Sequence, residues 1–284
     1  MQHPWHYELA GLTLAGWLHR PPNATPDTPL IVATHGWLDN ANSFLPLAKR
    51  LTNYQLLAFD WPGHGLSDHI AEHSNYHFVD WADTLLQVLD AQIGPVILLG
   101  HSMGALVNTL VAAAFPEKVS KLILIEGAGP LTVEPEQATA MLRKGLLSRT
   151  RTRNKLARHF DTLEDVVKTR QQASPDLNDA LVTLLVERNV EASNQQLRWR
   201  YDPRLKALSA MRMTELQAQQ LLSNIECDVL TVIADQGYAQ VRQLLEQRRS
   251  CFKSIQKVVL PGGHHVHMTR PDDLAELIDE FVAN

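Results

Sequence analysis

A serine in a tight turn is the first residue of this chain that could do chemistry. The apolar run 95–99 predicts a short buried strand, and the mostly apolar run 105–114 predicts a helix. Between them, Gly100-His101-Ser102-Met103-Gly104 matches the pattern G-x-S-x-G, in which a strained strand-to-helix turn presents the serine hydroxyl as a nucleophile. The helix N-terminus beside Ser102 favours developing negative charge. Ser102 is therefore the candidate nucleophile, and the alternative is a plain Gly-Ser turn between two core elements.

A nucleophilic serine needs a base, and the base needs a carboxylate that orients it. When the serine lies in a strand–turn–helix motif of this kind, the acid follows it in the chain and the histidine comes last. The loop after the last predicted strand reads Pro261-Gly262-Gly263-His264-His265-Val266-His267. The base is therefore expected in this loop.

The elements that must position these groups alternate between strands and helices. Predicted strands cover residues 7–10, 12–19, 30–34, 55–60, 95–99, 121–126, 229–234 and 255–260, and predicted helices cover 43–51, 78–91, 105–114, 239–249 and 271–282. This alternation predicts an α/β fold with a mostly parallel sheet and helices on both faces. Ligands of such sheets bind at the carboxyl ends of the strands. His35-Gly36, Ser102 and Glu126 all fall there.

The pattern changes between residues 130 and 213, where strand-like runs are absent and the sequence is polar and compatible with helices. This change predicts an inserted helical cap on a core formed by residues 1–129 and 214–284. Basic residues cluster between residues 137 and 160 with no acid among them: Arg143, Lys144, Arg149, Arg151, Arg153, Lys155 and Arg158. They either attract an anionic substrate or form the solvated face of a cap helix.

Composition argues against several classes of function. The chain has 284 residues, 45% apolar and 20% charged content and a net charge of −5, so nucleic acid is not an expected partner. No apolar run approaches the roughly 18 residues of a membrane span, so stable membrane insertion is not expected. The first residues show no signal peptide, and the two cysteines suit reduced thiols. These features predict a cytoplasmic location.

A metal site is not expected from the motifs. The histidines near residue 264 and nearby carboxylates could bind zinc, but neither H-E-x-x-H nor a cysteine pair at ligand spacing occurs. No cofactor is expected, and the sequence indicates no oligomeric state.

Several motifs together resemble the α/β-hydrolase superfamily: His35-Gly36, Gly63-His64-Gly65-Leu66-Ser67, Gly100-His101-Ser102-Met103-Gly104 and Gly263-His264 through Pro271. The longer stretches 35–44 and 261–268 resemble the serine hydrolase-like proteins in particular. The resemblance covers residues 6–129 and 225–283 and implies the fold of that superfamily. It also implies that His264 is the base, with His265 and His267 as packing or loop residues.

The resemblance leaves two candidates for the acid. In the commonest pattern of the superfamily, the acid lies at a position that is Gly237 here, and Asp235 comes two residues earlier. A variation within the superfamily places the carboxylate directly after the strand that follows the nucleophile, which is Glu126. We prefer Glu126 and keep Asp235 as the alternative.

The oxyanion hole needs two N–H donors aimed at the tetrahedral intermediate. Met103 N–H follows the nucleophile at the helix start, and the His-Gly-x pattern of the superfamily implies Trp37 N–H as the second donor. The Trp37 side chain either walls the acyl pocket or packs in the core.

These residues predict a serine hydrolase that acts on a small-molecule carboxylic ester, with thioesters as a further substrate class. A serine at position 102 argues against dehalogenase or epoxide hydrolase chemistry, which in this superfamily uses aspartate there. C–C bond hydrolysis and cofactor-free perhydrolysis within the same fold remain alternatives. A non-catalytic binding protein on the hydrolase scaffold is an alternative of another class.

Overall fold

The computed structural model describes residues 1–9, 11–153 and 158–284. Its strands are β1 (Gln2–Leu9), β2 (Leu12–His19), β3 (Leu30–Thr34), β4 (Gln55–Phe59), β5 (Val96–His101), β6 (Val119–Ile125), β7 (His159–Phe160), β8 (Val190–Ser193), β9 (Gln196–Trp199), β10 (Asp228–Ala234) and β11 (Ile255–Leu260). Its α-helices are α1 (Leu45–Ala48), α2 (Phe78–Asp90), α3 (Met103–Ala114), α4 (Ala138–Arg153), α5 (Leu163–Ala173), α6 (Asp179–Asn189), α7 (Glu215–Ser223), α8 (Ala239–Arg248), α9 (Val266–Thr269) and α10 (Pro271–Ala283).

The core is an eight-stranded sheet with the order β1-β2-β4-β3-β5-β6-β10-β11. The first two strands pair antiparallel, and β2 pairs antiparallel with β4, whereas the other neighbours are parallel. The mostly parallel sheet that the sequence predicts is confirmed. Because β3, β5 and β6 run side by side in one direction, the loops after them emerge at the same edge, which is where His35, Ser102 and Glu126 lie.

Helices cover both faces of this sheet, as the sequence predicts. Neighbouring side chains in a strand point to opposite faces, so Leu98 of β5 belongs to one apolar core and Leu99 to the other. Residues of α2, α3 and α7 complete the first core, and residues of α1, α9 and α10 complete the second. The central strands β3, β4 and β5 therefore read as mostly apolar runs because they are buried on both faces.

One predicted helix takes a different form, and one residue of a predicted strand is not described. The predicted helix 43–51 is a 3₁₀ turn, Ala41–Phe44, followed by the short α1, in which Pro46 lies in the first turn. Ala10, at the end of the predicted strand 7–10, lies outside the described residues.

The inserted segment contains α4, α5 and α6, and also a three-stranded antiparallel sheet in the order β7-β9-β8. We expected only helices there, so the sheet corrects that prediction. Its strands have two to four residues, too short for a clear alternating pattern. The hairpin β8–β9 turns through Asn194 and Gln195, which both have positive φ.

Two buried arginines tie the inserted segment to the core. Arg188 of α6 donates from Nε to both carboxylate oxygens of Asp60, at 2.8 and 3.0 Å, at the end of β4. Arg248 of α8 is fully buried and donates to the carbonyls of Ala128 and Pro130, where the chain leaves the core, and to Glu215, where it returns. The entry and exit of the insertion are therefore joined through one side chain.

None of the helices in the described ranges has both the length and the apolar character needed to cross a membrane.

The turn at Ser102 depends on close packing of α3 against β3. A Cβ atom on Gly104 would lie 2.1 Å from the carbonyl oxygen of Thr34 and 2.5 Å from its carbon. Backbone atoms of a central strand cannot move aside as a flexible side chain can. Position 104 therefore accepts only glycine without displacement of the helix.

We expect Gly104→Ala to lower the free energy of unfolding by roughly 3 kcal/mol or more, because overpacking against rigid backbone forces the helix outward. Gly94→Ala is the control, since Gly94 has φ +77° but no atom within 4 Å of an added Cβ. This control should lose only about 1–2 kcal/mol, from the left-handed backbone. Urea denaturation of both variants measures the difference, and equal losses would contradict the packing argument.

Candidate active site

Ser102 lies between the end of β5 and the start of α3, with φ 50° and ψ −117°. Its N–H donates to the carbonyl of Ile125 at 2.9 Å, and its carbonyl accepts from the N–H of Leu106 at 3.1 Å. A Cβ on Gly100 would lie 2.5 Å from the backbone nitrogen of Ala105. A serine with positive φ is strained, and both flanking backbone bonds hold it there. The turn therefore has the geometry that the G-x-S-x-G pattern predicts.

Glu126 and His264 form a hydrogen bond across the carboxyl edge of the sheet. His264 Nδ1 lies 3.1 Å from Glu126 Oε2, although the two residues are 138 positions apart in the chain. The glutamate side chain is fully buried, and the histidine side chain is 12% exposed. A carboxylate on Nδ1 favours the tautomer with its proton there, which leaves the lone pair of Nε2 free. His264 is thus prepared to accept a proton on Nε2.

Backbone donors fix the carboxylate of Glu126. Its Oε1 accepts from the N–H of Ala234 at 2.8 Å, and its Oε2 accepts from the N–H of Tyr238 at 3.3 Å. Glu126 itself has φ 52°, and its N–H donates to the carbonyl of Val232 at 2.9 Å. These contacts come from β10 and the loop after it. The orientation of the acid therefore depends on two neighbouring strands.

The structure brings Glu126, and not Asp235, to His264. Asp235 is exposed, and its Oδ1 accepts from the N–H of Gly262 at 2.9 Å within the loops at this edge. At Gly237, a Cβ atom would lie 2.3 Å from Oε2 of Glu126. The carboxylate from β6 therefore occupies the space next to residue 237, and Asp235 points to a different partner. The alternative assignment of the acid to Asp235 does not fit this geometry.

The link between Ser102 and His264 is open in this structure. Among the described residues, Ser102 Oγ has no hydrogen-bond partner, and its side chain does not cap α3. His264 nevertheless lies beside the turn, since its carbonyl accepts from Nε2 of His101 at 2.9 Å and the two rings are 4.7 Å apart. Catalytic hydrogen bonds are often long before substrate binds. Proton transfer between the two side chains requires this link to close.

Two backbone N–H groups beside the serine have no acceptor in the described part of the chain. Neither Trp37 N–H nor Met103 N–H is paired with a described residue. A Cβ on Gly36 would lie 3.3 Å from Cβ of Ser102, so the Gly36–Trp37 peptide runs against the candidate nucleophile. Unpaired backbone donors are rare in protein interiors unless a ligand uses them. The two donors therefore have the placement expected for an oxyanion hole.

His35 orients the Gly36–Trp37 peptide. Its Nδ1 donates to the carbonyl of Gly36 at 2.8 Å, and the N–H of Asp39 donates to the same oxygen at 3.2 Å. In a planar trans peptide the C=O and N–H point in opposite directions. Trp37 N–H is therefore held pointing away from His35. The Nε2 atom of His35 accepts from the N–H of Trp61 at 3.0 Å, which sets its tautomer.

The Trp37 side chain does not pack in the core, since it is 50% exposed. Its Nε1 donates to the carbonyl of Leu205 at 3.0 Å, so it joins the nucleophile edge of the core to the inserted segment. This position is compatible with the predicted wall of an acyl pocket.

Sequence reasoning missed two residues that hold the His264 loop. The carboxylate of Asp176, in the inserted segment, accepts from the N–H of His265 at 2.7 Å, and it fills the space next to Gly263. Hydrogen bonds from His265 hold the pKa of this carboxyl below its usual range, although burial opposes this. The ring of Tyr238 lies 4.2 Å from the His264 ring. Neither residue belongs to a sequence motif. The one indirect signal was Gly237 next to Tyr238, because the commonest pattern of the superfamily has an acid at that position.

The basic residues of the inserted segment stay a prediction. Lys155 lies outside the described residues. Arg149 of α4 lies 3.4 Å from Nδ1 of His77, and Arg158 lies over the ring of Phe160. The helix also exposes Leu142, Leu146 and Leu147 by 42–49%. These contacts favour neither the anion-binding nor the solvated-helix interpretation.

Comparisons with known proteins agree with this geometry. The family model described as "Alpha/beta hydrolase family" matches residues 31–277. A serine hydrolase-like protein of Dictyostelium discoideum is 30% identical, with 89% of this chain and 74% of that protein covered. A probable serine hydrolase of Drosophila melanogaster is 32% identical over 89% of this chain and 80% of its own length. A crystal structure of a hypothetical protein from Pseudomonas aeruginosa PAO1 is 34% identical, with a TM-score of 0.90 and 99% of both chains covered.

The chain therefore belongs to the alpha/beta hydrolase family. Within that family it is similar to the serine hydrolase-like proteins, so the resemblance seen in the motifs is confirmed.

The buried imidazoles of His35 and His64 hold the loop that contains Trp37, and they make the fold sensitive to acid. Burial lowers the pKa of both His35 and His64 to about 3, from 6.5. His64 Nε2 accepts from the N–H of Leu38 at 3.2 Å, a bond that a protonated ring cannot accept. Between pH 6.5 and 3 the unfolded chain binds these protons and the folded chain does not. Stability therefore falls as the pH falls through this range.

We expect the free energy of unfolding to decrease by about 1.4 kcal/mol per pH unit for each of these histidines below pH 6. His64→Gln should reduce this slope, because the replacement does not titrate. His73→Gln, at an exposed position, is the matched control and should keep the wild-type slope. Urea denaturation at several pH values between 4 and 7 measures the slopes, and equal slopes for all three proteins would contradict the prediction.

Proposed function

We propose that this protein is a serine hydrolase that cleaves small-molecule carboxylic esters, thioesters included, through an acyl-enzyme on Ser102. The observation that carries this proposal is the hydrogen bond of His264 Nδ1 to the buried carboxylate of Glu126, beside a serine with φ 50°. The relatives' names support hydrolysis, since two are described as serine hydrolase-like or as a probable serine hydrolase.

In the proposed reaction, Ser102 Oγ attacks the carbonyl carbon of the ester while His264 Nε2 takes the hydroxyl proton. The tetrahedral intermediate collapses when the same imidazole gives that proton to the leaving alcohol or thiol. Water then attacks the acyl-enzyme, again with His264 as base, and releases the acid and the free serine. Glu126 stays ionised throughout and stabilises the imidazolium that forms twice in each cycle.

The N–H groups of Trp37 and Met103 would stabilise the oxyanion in both halves of the reaction. Loss of one such donor typically costs about 2.7–4 kcal/mol of transition-state stabilisation. Because both donors are backbone groups, their positions depend on His35 and on the start of α3 rather than on their own side chains.

The assignment of the acid predicts a contrast between two amide variants. Glu126→Gln should lower kcat/KM for p-nitrophenyl esters by about 10³–10⁴-fold, since an amide does not stabilise the imidazolium and favours the wrong tautomer. Asp235→Asn is the matched control: its amide oxygen can still accept from Gly262 N–H, and the rate should stay within about twofold of wild type. A panel of acyl chain lengths measures both variants, with circular dichroism to show that each is folded. Near-normal turnover by Glu126→Gln together with loss in Asp235→Asn would reverse the assignment.

A non-catalytic binding protein is the second candidate, and the open link between Ser102 and His264 in this structure favours it. The two candidates differ in the reactivity of the serine. A hydrolase should react with a fluorophosphonate at one group per chain, and Ser102→Ala should abolish labelling. Ser67→Ala, which changes a buried serine of another turn, should still be labelled if it folds. Intact-mass spectrometry measures the adduct, and an unlabelled wild type would leave the binding protein as the better interpretation.

A further inference from the structure

Among the described residues, three buried side chains beside the candidate active site have polar atoms that lie close together and lack hydrogen-bond partners. One nitrogen or oxygen atom of each of Asp39, His101 and His267 lies within 4.8 Å of those of the other two. The three residues are 2%, 1% and 0% exposed. Among the described residues, Asp39 Oδ2, His101 Nδ1 and both ring nitrogens of His267 have no hydrogen-bond partner. Buried polar atoms are rarely left unpaired, so a shared ligand is expected here.

Two of the three side chains, those of Asp39 and His101, are held in place through their other polar atom. His101 Nε2 donates to the carbonyl of His264 at 2.9 Å, and its Nδ1 has no hydrogen-bond partner among the described residues. Arg170 lies 3.4 Å from Oδ1 of Asp39 and leaves Oδ2 free. A ligating imidazole commonly donates its second N–H to a carbonyl or a carboxylate.

A fourth donor lies at the edge of the cluster. His265 Nε2 is 3.9 Å from Oδ2 of Asp39, while its Nδ1 contacts the carboxylate of Asp176 at 3.1 Å. The cluster therefore combines imidazole nitrogen with one carboxylate oxygen. Zinc and similar divalent transition metals prefer this donor set, whereas magnesium and calcium prefer oxygen alone.

We propose that Asp39, His101 and His267 bind one divalent transition metal ion, with His265 as a fourth ligand. Ligand atoms around a tetrahedral zinc with bonds of about 2.0–2.1 Å lie roughly 3.3 Å apart, so Asp39, His101 and His267 need to close by about 1.5 Å at most. This proposal departs from the sequence-based expectation of no metal site. The ligands come from three distant segments and therefore form no motif.

The ligands belong to the segments that carry the candidate catalytic groups. Asp39 follows Trp37 by two residues, His101 precedes Ser102, and His267 follows His264 by three. A metal ion bound here connects the loop of Trp37, the turn of Ser102 and the loop of His264. It takes no part in a chemical step, so the proposal is independent of the proposed hydrolysis.

Zinc binding by the full chain tests the proposal. After treatment with a chelator and slow reloading, the wild type should retain about one zinc per chain through gel filtration, measured by mass spectrometry of the metal. At a hundredfold excess of free zinc over Kd, its Tm should rise by roughly 5 °C or more. His267→Gln and Asp39→Asn should each lose the retained zinc and the rise in Tm.

Matched variants at exposed positions control for surface binding. His73→Gln and Asp27→Asn remove a histidine and an aspartate that are exposed, and both should behave as the wild type. If a cluster variant does not fold, crystals of the zinc-loaded wild type provide the second measurement. Anomalous scattering at the zinc edge should then place the ion between Asp39, His101 and His267.

Three results would overturn the proposal: no stoichiometric zinc on the wild type, the same zinc content in the cluster variants, or anomalous peaks only at surface histidines. If the wild type binds no stoichiometric zinc, a buried water molecule is the better explanation for the unpaired atoms. Labelling of Ser102 by a fluorophosphonate is a separate measurement, so failure of the metal proposal and failure of the proposed function are distinguishable.

Discussion

The candidate site depends on one hydrogen bond, from His264 Nδ1 to the buried carboxylate of Glu126. A buried carboxylate is stable only when its oxygens are paired, and here the backbone of Ala234 and Tyr238 supplies two donors. The glutamate follows β6, its donors are the last residue of β10 and a residue of the loop after it, and the histidine follows β11. Three strand ends therefore meet at one side chain. Gly237 completes this arrangement because any larger residue would contact the carboxylate.

On the other side of Ser102, backbone N–H groups rather than side chains form the candidate oxyanion hole. The Gly36–Trp37 peptide and the first turn of α3 bring two unpaired N–H groups to Ser102. The orientation of Trp37 N–H depends on His35, which is fully buried. Burial lowers the pKa of His35 to about 3, so it is neutral at pH 7 and keeps one donating and one accepting nitrogen. A neutral imidazole is required because it donates to Gly36 and accepts from Trp61 at the same time.

The inserted segment does more than cover the core. Arg188 pairs with Asp60, Asp176 holds the loop of His264, and Leu205 accepts a hydrogen bond from Trp37. Breaking a buried pair such as Arg188–Asp60 leaves a charge without a partner, which is costly, so the insertion is held against the core. Because of these contacts, any movement of this segment would also shift the loops of Trp37 and His264.

Much of the fold was predictable because its signals are local. The strands predicted at 30–34 and 255–260 have those bounds in the structure, and the helix predicted at 271–282 extends by one residue to Ala283. Periodicity and turn chemistry operate within about ten residues, which one sequence displays directly. The small sheet β7-β9-β8 escaped prediction because its strands of two to four residues show too little alternation.

The sequence by itself determined the position of the strained serine and the histidine loop, since each belongs to a short motif with glycines that the turn requires. Only the tertiary structure showed that Glu126, and not Asp235, is hydrogen-bonded to His264, because that contact depends on which carboxylate reaches a ring 138 residues away. It also brought Asp176 to the histidine loop and gathered Asp39, His101 and His267 into one buried cluster. Such contacts join residues that are far apart in the chain. They depend on the order of the strands in the sheet, and a local sequence pattern does not determine that order.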